Sequence, residues 1–142
     1  MIALLDINML VALFDAAHIH HKAAHAWMAQ NRSLGWATCP ITQNGCIRVI
    51  SQLQYPGRLP VPEIMRRLGA AIAAKEHAFW PDSISLCDSH RFDPNRILTP
   101  KTLTDIYLLG LAEKNNGRLV TFDRAIPLAA ASRAKGRHLL VL

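Results

Sequence analysis

The sequence predicts an α/β fold, a three-layer sandwich whose mainly parallel central sheet is covered by helices on both faces. Short apolar runs, Ile2 to Leu5 foremost, have the unbroken hydrophobic character of strands buried on both sides. Segments with apolar residues at helical spacing alternate with them, and that alternation is the pattern of parallel sheets. The chain has 142 residues, 51% hydrophobic and 18% charged, the size and composition of one domain with a substantial core. No repeat, low-complexity tract or linker interrupts residues 1–142, which read as a single domain.

Taken in order, Ile2 to Leu5 is the first strand and ends at Asp6. Asn8 starts a helix in which Met9, Leu10, Leu13 and Phe14 follow helical spacing. A second helix runs from about His20 to Gln30, and Leu34 to Thr38 is a short strand. After Pro40, the segment Ile41 to Leu53 places Ile41, Gly45, Val49 and Leu53 on one stripe of a third helix. Tyr55-Pro56-Gly57 is a turn, and Pro62 suits the first turn of a helix reaching about Lys75. His77 to Pro81 reads as a strand, Ser83 to Leu86 as a short helical turn, and Arg91 to Pro100 as a surface loop. Thr102 to Asn115 is the clearest helix: Leu103, Ile106, Tyr107, Gly110 and Leu111 form a stripe, and Asn116-Gly117 supplies the stop. Arg118 to Phe122 is a strand ending at Asp123. A helical piece over Ala125 to Ala131 and a strand over His138 to Leu142 complete the chain.

Sixteen Lys and Arg against ten acids leave a net charge of +6, a balance that favours polyanionic partners. Cys39, Cys46 and Cys87 are widely spaced in apolar surroundings, form no Cys-x-x-Cys pair, and read as buried free thiols. The opening residues lack a basic leader, and no apolar run approaches the ~20 residues of a membrane span. A cytoplasmic protein without membrane association is expected.

Against this basic background Asp6, Asp105 and Asp123 stand out, because each lies where an apolar strand or helix meets a loop. Ligands of open α/β sheets bind outside the carboxyl ends of the strands, where Asp6 and Asp123 both fall. Singly, each has a structural explanation: Asp6 or Asp123 as a helix cap, and Thr102 to Asp105 as a capping box. Together they exceed what capping accounts for, since the two most strand-like runs both stop at Asp and a third Asp opens the longest helix. Clustered carboxylates raise one another's pKa, and Mg²⁺ or Mn²⁺ offsets that cost. The remaining acids, Asp15, Glu63, Glu76, Asp82, Asp88, Asp93 and Glu113, read as solvated.

With these residues in view, the chain resembles the PIN-domain nucleases, and among them the VapC-type toxins of bacterial toxin-antitoxin pairs. The motif Leu4-Leu5-Asp6-Ile7-Asn8-Met9-Leu10 is similar to the family's opening Leu-Leu-Asp-Thr-Asn-Val-Leu, with Ile7 in place of Thr. Thr104-Asp105-Ile106-Tyr107 is similar to its third motif, and Gly117 to Arg124 to its fourth. Phe79-Trp80-Pro81-Asp82 and Arg91-Phe92-Asp93-Pro94 also resemble this branch. One position departs: the second acidic residue, usually a Glu opening the third helix, is here Gln43. A neutral carbonyl oxygen can still meet Mg²⁺ or its water, with one negative charge fewer and weaker affinity expected.

The resemblance implies a PIN-like fold and a Mg²⁺-dependent endoribonuclease, with Mn²⁺ as an alternative ion, leaving a 3′-hydroxyl and a 5′-phosphate. Asp6 and Asp105 are the expected metal ligands and Asp123 a third, less certain one. Asn8, Gln43 and Thr121 would support them, and Arg48 and Arg124 would contact RNA phosphates. A cognate antitoxin protein and a homodimer are implied as partners. Two alternatives stand beside this reading: a PIN-like module that binds RNA or a partner without cutting, and an aspartyl-phosphate phosphatase or receiver using Asp6 as nucleophile. Asn8, where a haloacid-dehalogenase-type enzyme wants a second Asp, counts against the latter. His18, His20, His21 and His25 crowd the start of the second helix without a neighbouring Glu, so a zinc-protease motif fails and a solvated face is expected. Trp27, Trp36 and Trp80 read as core.

Overall fold

A computed structural model describes all 142 residues. Five strands form one sheet: β1 (Ala3–Leu5), β2 (Trp36–Thr38), β3 (His77–Phe79), β4 (Arg118–Thr121) and β5 (Leu139–Val141). Their order is β3-β2-β1-β4-β5 and every pairing is parallel. Five α-helices connect them: α1 (Ile7–Phe14), α2 (His21–Asn31), α3 (Pro40–Ser51), α4 (Val61–Ile72) and α5 (Leu103–Lys114). The chain winds outward from β1 through β2 to β3, then crosses to the other side of β1 as β4. That reversal of direction between β1 and β4 opens a crevice at the carboxyl edge of the sheet.

Period-2 alternation within the strands sorts the core into two layers. Leu4, Ala37 and Leu119 face α5 and the loops folded over it. Ala3, Leu5, Trp36 and Val120 face the layer built by α1 to α4, meeting Met9, Leu10, Cys46, Ile50 and Ile64. Both faces are covered, which is why β1 and β5 are wholly apolar and the polar residues of the other strands, Thr38, His77, Arg118 and Thr121, stand only at strand ends. Trp36 and Trp80 are buried as expected, and Trp27 is half-buried against the second layer.

The predicted stop of α5 forms as a Schellman motif. Asn116 takes φ +54°, its N–H donates to Glu113 O at 3.0 Å, and Gly117 N–H donates to Ala112 O at 2.8 Å. A side chain at Gly117 would run into the Ile2 carbonyl and Trp80, so the turn that ends α5 also seats β4 beside β1.

Several local expectations are corrected. α5 does not bury a single stripe: Ile106 to Ala112 are buried without a break. The cause is the Arg91 to Pro100 segment, which is not merely a surface loop. Phe92 is 1% exposed, bridges to Ala131, and lies over Gly110, where a Cβ would strike its ring. Ser83 to Leu86 forms no helical turn; the chain stays irregular up to a turn at Leu86-Cys87. Within Ala125 to Ala131 only Leu128–Ala130 is helical, a single 3₁₀ turn, because Pro127 biases Ile126 away from helix. Cys39 and Cys46 are buried thiols, whereas Cys87 is exposed beside that irregular stretch.

Candidate active site

The register of β1 on β4 builds the site. Leu5 pairs with Val120, and Asp6 N–H donates to Val120 O at 3.0 Å, so Asp6 lies beside Thr121 at the crevice. Asp6 is 2% exposed. Its Oδ1 accepts from Ile7 N–H at 2.6 Å and its Oδ2 accepts from the Thr121 hydroxyl at 2.6 Å. That hydroxyl in turn accepts from Asn8 Nδ2 at 3.1 Å and from Asp123 N–H at 3.0 Å. With one bond donated and two accepted, Thr121 Oγ1 is fully used. Asn8 Oδ1 accepts from Phe122 N–H at 3.2 Å, tying the end of β4 to the first turn of α1.

Asp6 thus does serve as the cap of α1, as the structural explanation anticipated, but it reaches beyond that role. Burial raises its pKa, the bonds from Thr121 and Ile7 oppose the rise, and the charge of Asp123 adds to it.

Asp105 lies in the first turn of α5. The expected capping box does not form, because the Thr102 hydroxyl donates to Thr99 O at 3.1 Å and caps nothing in α5. The Asp105 carboxyl is left to the crevice. Burial, and then the neighbouring charges of Asp6 and Asp123, push its pKa up to about 7. Asp123 accepts from Ala125 N–H at 2.8 Å, an Asx-type turn that aims the chain out of the sheet. The three acids, from β1, α5 and the end of β4, therefore sense one another electrostatically.

The surplus of negative charge and the all-oxygen donor set suit a hard divalent cation. As they stand, no three Asp, Glu, His or Cys side chains are close enough to grip an ion unaided. Mg²⁺ would need waters or substrate phosphates to fill the positions that one or two carboxylates leave open.

The supporting residues divide. Asn8 and Thr121 are built into the acid network. Gln43, in the first turn of α3, donates through Nε2 to the Thr38 hydroxyl at 2.9 Å, and that hydroxyl lies 2.8 Å from His77 Nε2. Its carbonyl oxygen makes no hydrogen bond to the protein, and no bond joins Gln43 to the three acids. Arg48 and Arg124 are exposed and form no ion pair.

A cavity of about 350 Å³ is lined by Asp6, Asn8, Thr104 and Asp105 together with an apolar set, Ile7, Val11, Val49 and Tyr55, and His18. The apolar wall was missed from sequence because its members come from separate elements. The histidines carried the only signal, and their reading as a solvated face needs correction. His21 Nδ1 and His25 Nε2 lie 2.8 and 2.9 Å from the Ala12 and Leu13 carbonyls at the end of α1, His20 stacks on Phe122 at 4.2 Å, and His18 lines the cavity. Not all the remaining acids are simply solvated either. Glu113 pairs with Arg91 at 3.0 Å with both partners largely buried, and Asp15 accepts from the Tyr55 hydroxyl at 2.5 Å.

An acidic crevice at the switch point of a parallel sheet, with oxygen donors and a basic chain around it, defines an open α/β protein whose candidate site suits a divalent cation. The family model described as PIN domain matches residues 3–132, and the chain belongs to the PIN-domain family. It is 45% identical over 140 residues to Ribonuclease VapC44 of Mycobacterium tuberculosis, an alignment covering 99% of each chain. Ribonuclease VapC39 of the same organism is 39% identical over 133 residues, 93% of this chain and 96% of that one. Among solved structures, VapBC2 from Rickettsia felis bound to a DNA fragment from their promoter aligns with a TM-score of 0.63 and 16% identity, over 99% of this chain and 98% of that one. The last likeness concerns fold alone. No helix of this chain is long and apolar enough to cross a membrane.

Proposed function

We propose that this protein is a divalent-metal-dependent endoribonuclease, the toxin of a toxin-antitoxin pair, which hydrolyses RNA phosphodiester bonds. The observation that carries the reading is the meeting of Asp6, Asp105 and Asp123 in one crevice of a basic PIN-domain chain. The likeness to Ribonucleases VapC44 and VapC39 over nearly the whole chain supports RNA as the substrate.

Asp6 and Asp105 would hold Mg²⁺ or Mn²⁺, with Asp123 as a third ligand. When bound, the ion would polarise a phosphodiester oxygen and lower the pKa of the water that attacks in line. Thr121, itself held by Asn8, fixes Asp6 in place at the crevice, so the carboxylate is positioned without reorganisation. Asp123, close enough for its charge to act on Asp105, is suited to orient the attacking water. Gln43 in place of a carboxylate leaves the site one charge poorer, and weaker metal affinity follows. Arg48 and Arg124 are unpaired and free to meet phosphates. Single-stranded RNA is the natural substrate, because its backbone and bases are accessible. A cognate antitoxin protein and a second copy of the chain belong to the same proposal.

The test is purified protein with total RNA, in Mg²⁺ or chelator, beside Asp105→Ala. Cleavage that needs Mg²⁺ and disappears in the variant is the expected result. RNA binding without Mg²⁺-dependent products would favour the non-cleaving module instead. Cleavage that resists chelator in both proteins would point to a contaminating nuclease.

A further inference from the structure

We propose that the cavity beside the acids is a nucleobase subsite, which takes the base next to the scissile phosphate and gives the enzyme its sequence preference. The inference rests on the nuclease reading above and extends it to substrate selection.

The argument begins with contiguity. Asp6 and Asp105 share one cavity with Ile7, Val11, Val49, Tyr55 and His18, so whatever brings a phosphate to the carboxylates also presents its neighbouring group to this wall. The wall is chemically unlike the acids. Ile7 and Val11 come from α1, Val49 from the last turns of α3, and Tyr55 from the turn that follows. Aliphatic surface with an aromatic ring repels a sugar-phosphate backbone and suits the flat apolar part of RNA, its base. At about 350 Å³ the cavity lies near the lower end of ligand pockets, roughly 300–1,000 Å³.

Two polar details make the wall more than a patch of apolar surface. The Tyr55 hydroxyl donates to Asp15 at 2.5 Å, and burial together with that bond holds the phenol protonated, so the ring is anchored at its far end. His18 Nδ1 accepts from His20 N–H at 3.0 Å, which leaves the ring proton on Nε2. His18 therefore brings one N–H donor to the cavity, matched by ring-nitrogen and carbonyl acceptors on the edge of a base. His20 stacks on Phe122, the residue before Asp123, so the rim carries rings from His18 towards the end of β4.

The test is cleavage of a randomised single-stranded RNA pool in Mg²⁺, with the cut ends sequenced, for wild type, Tyr55→Ala, Val49→Phe, His18→Ala and the inactive Asp105→Ala. Wild type is expected to show a base preference at one position flanking the cut. Tyr55→Ala and Val49→Phe should flatten it. On one preferred oligonucleotide they should raise KM roughly 5- to 100-fold, the range set by loss of base–aromatic stacking, with kcat little changed. An oligonucleotide abasic at that position should be cut by wild type and Tyr55→Ala with equal KM. Circular dichroism identifies a variant that fails to fold, and His18→Ala, which alters a half-buried side chain at the rim, then carries the comparison. An unchanged preference and KM in the folded variants would overturn the subsite while leaving the nuclease intact. Absence of Mg²⁺-dependent cuts in wild type would overturn both readings.

Discussion

At the scale of single residues, the site is a case of negative charge gathered and left unneutralised. Asp105 ionises near pH 3.8 in an unfolded chain and near pH 7 in the folded one. Between those values the metal-free native state holds a proton that the unfolded state has released, so stability falls as pH rises through the window. Asp6, also shifted upward, adds to the slope. Burial lowers the pKa of His77 and His138, which favours the higher pH and opposes this contribution. Urea denaturation in chelator at pH 5 and pH 8 should therefore show Asp105→Asn shifted, relative to wild type, towards greater stability at pH 8, and an equal pH dependence in both proteins would contradict the assignment. Thr121 supports a second prediction. Thr121→Val keeps the shape but removes the donor to Asp6 and the acceptor for Asn8 and Asp123. Leaving these groups unpaired costs about 1–3 kcal/mol, measurable as a shift in denaturation midpoint. The three acids were legible in the sequence because each terminates or opens an apolar element. The setting of Gln43 was not: its Thr38 partner is held in turn by His77, which reaches Thr38 only through the pairing of β2 with β3.

At the scale of elements, the approach of α1 to α3 matters most, because these helices supply most of the apolar wall of the cavity. Gly45 makes that approach feasible: a Cβ there would collide with the Ile7 side chain. Ile7 stands where the family's motif usually has Thr, so the larger side chain and the glycine facing it form one packing unit. Gly45→Ala gains about 1 kcal/mol of helix propensity but overpacks this contact, at a cost of about 1–3 kcal/mol. Net destabilisation is expected, with recovery in the Gly45→Ala, Ile7→Ala double variant; thermal denaturation of the four proteins of that cycle measures the coupling. The helix α5 shows how far periodicity carries. Its boundaries followed from the Leu103 to Leu111 pattern and from Asn116-Gly117, yet its burial on all sides did not. Phe92, a single aromatic in a polar run, covers its outer face, and no local pattern announces a contact between residues 92 and 110.

For the whole molecule, the prediction concerns linkage between metal and fold. An ion bound only by the native crevice stabilises it by about 2.7 kcal/mol at 100 times Kd. Mg²⁺ should therefore raise Tm in wild type and leave Asp105→Ala unmoved, read by calorimetry. A Tm increase of equal size in the variant would place the ion elsewhere. The sequence by itself determined the α/β class, the parallel sheet, the strand-end position of Asp6 and Asp123, and the family resemblance. These are properties of local pattern, carried by hydrophobic period and by residues where one element yields to the next. Only the tertiary structure decided that β4 lies against β1, that Thr121 binds Asp6, that the charge of Asp123 acts on Asp105, and that Ile7, His18, Val49 and Tyr55 line one cavity. Those facts depend on strand order and on side chains distant in sequence meeting across the core, and packing of the complete chain sets them.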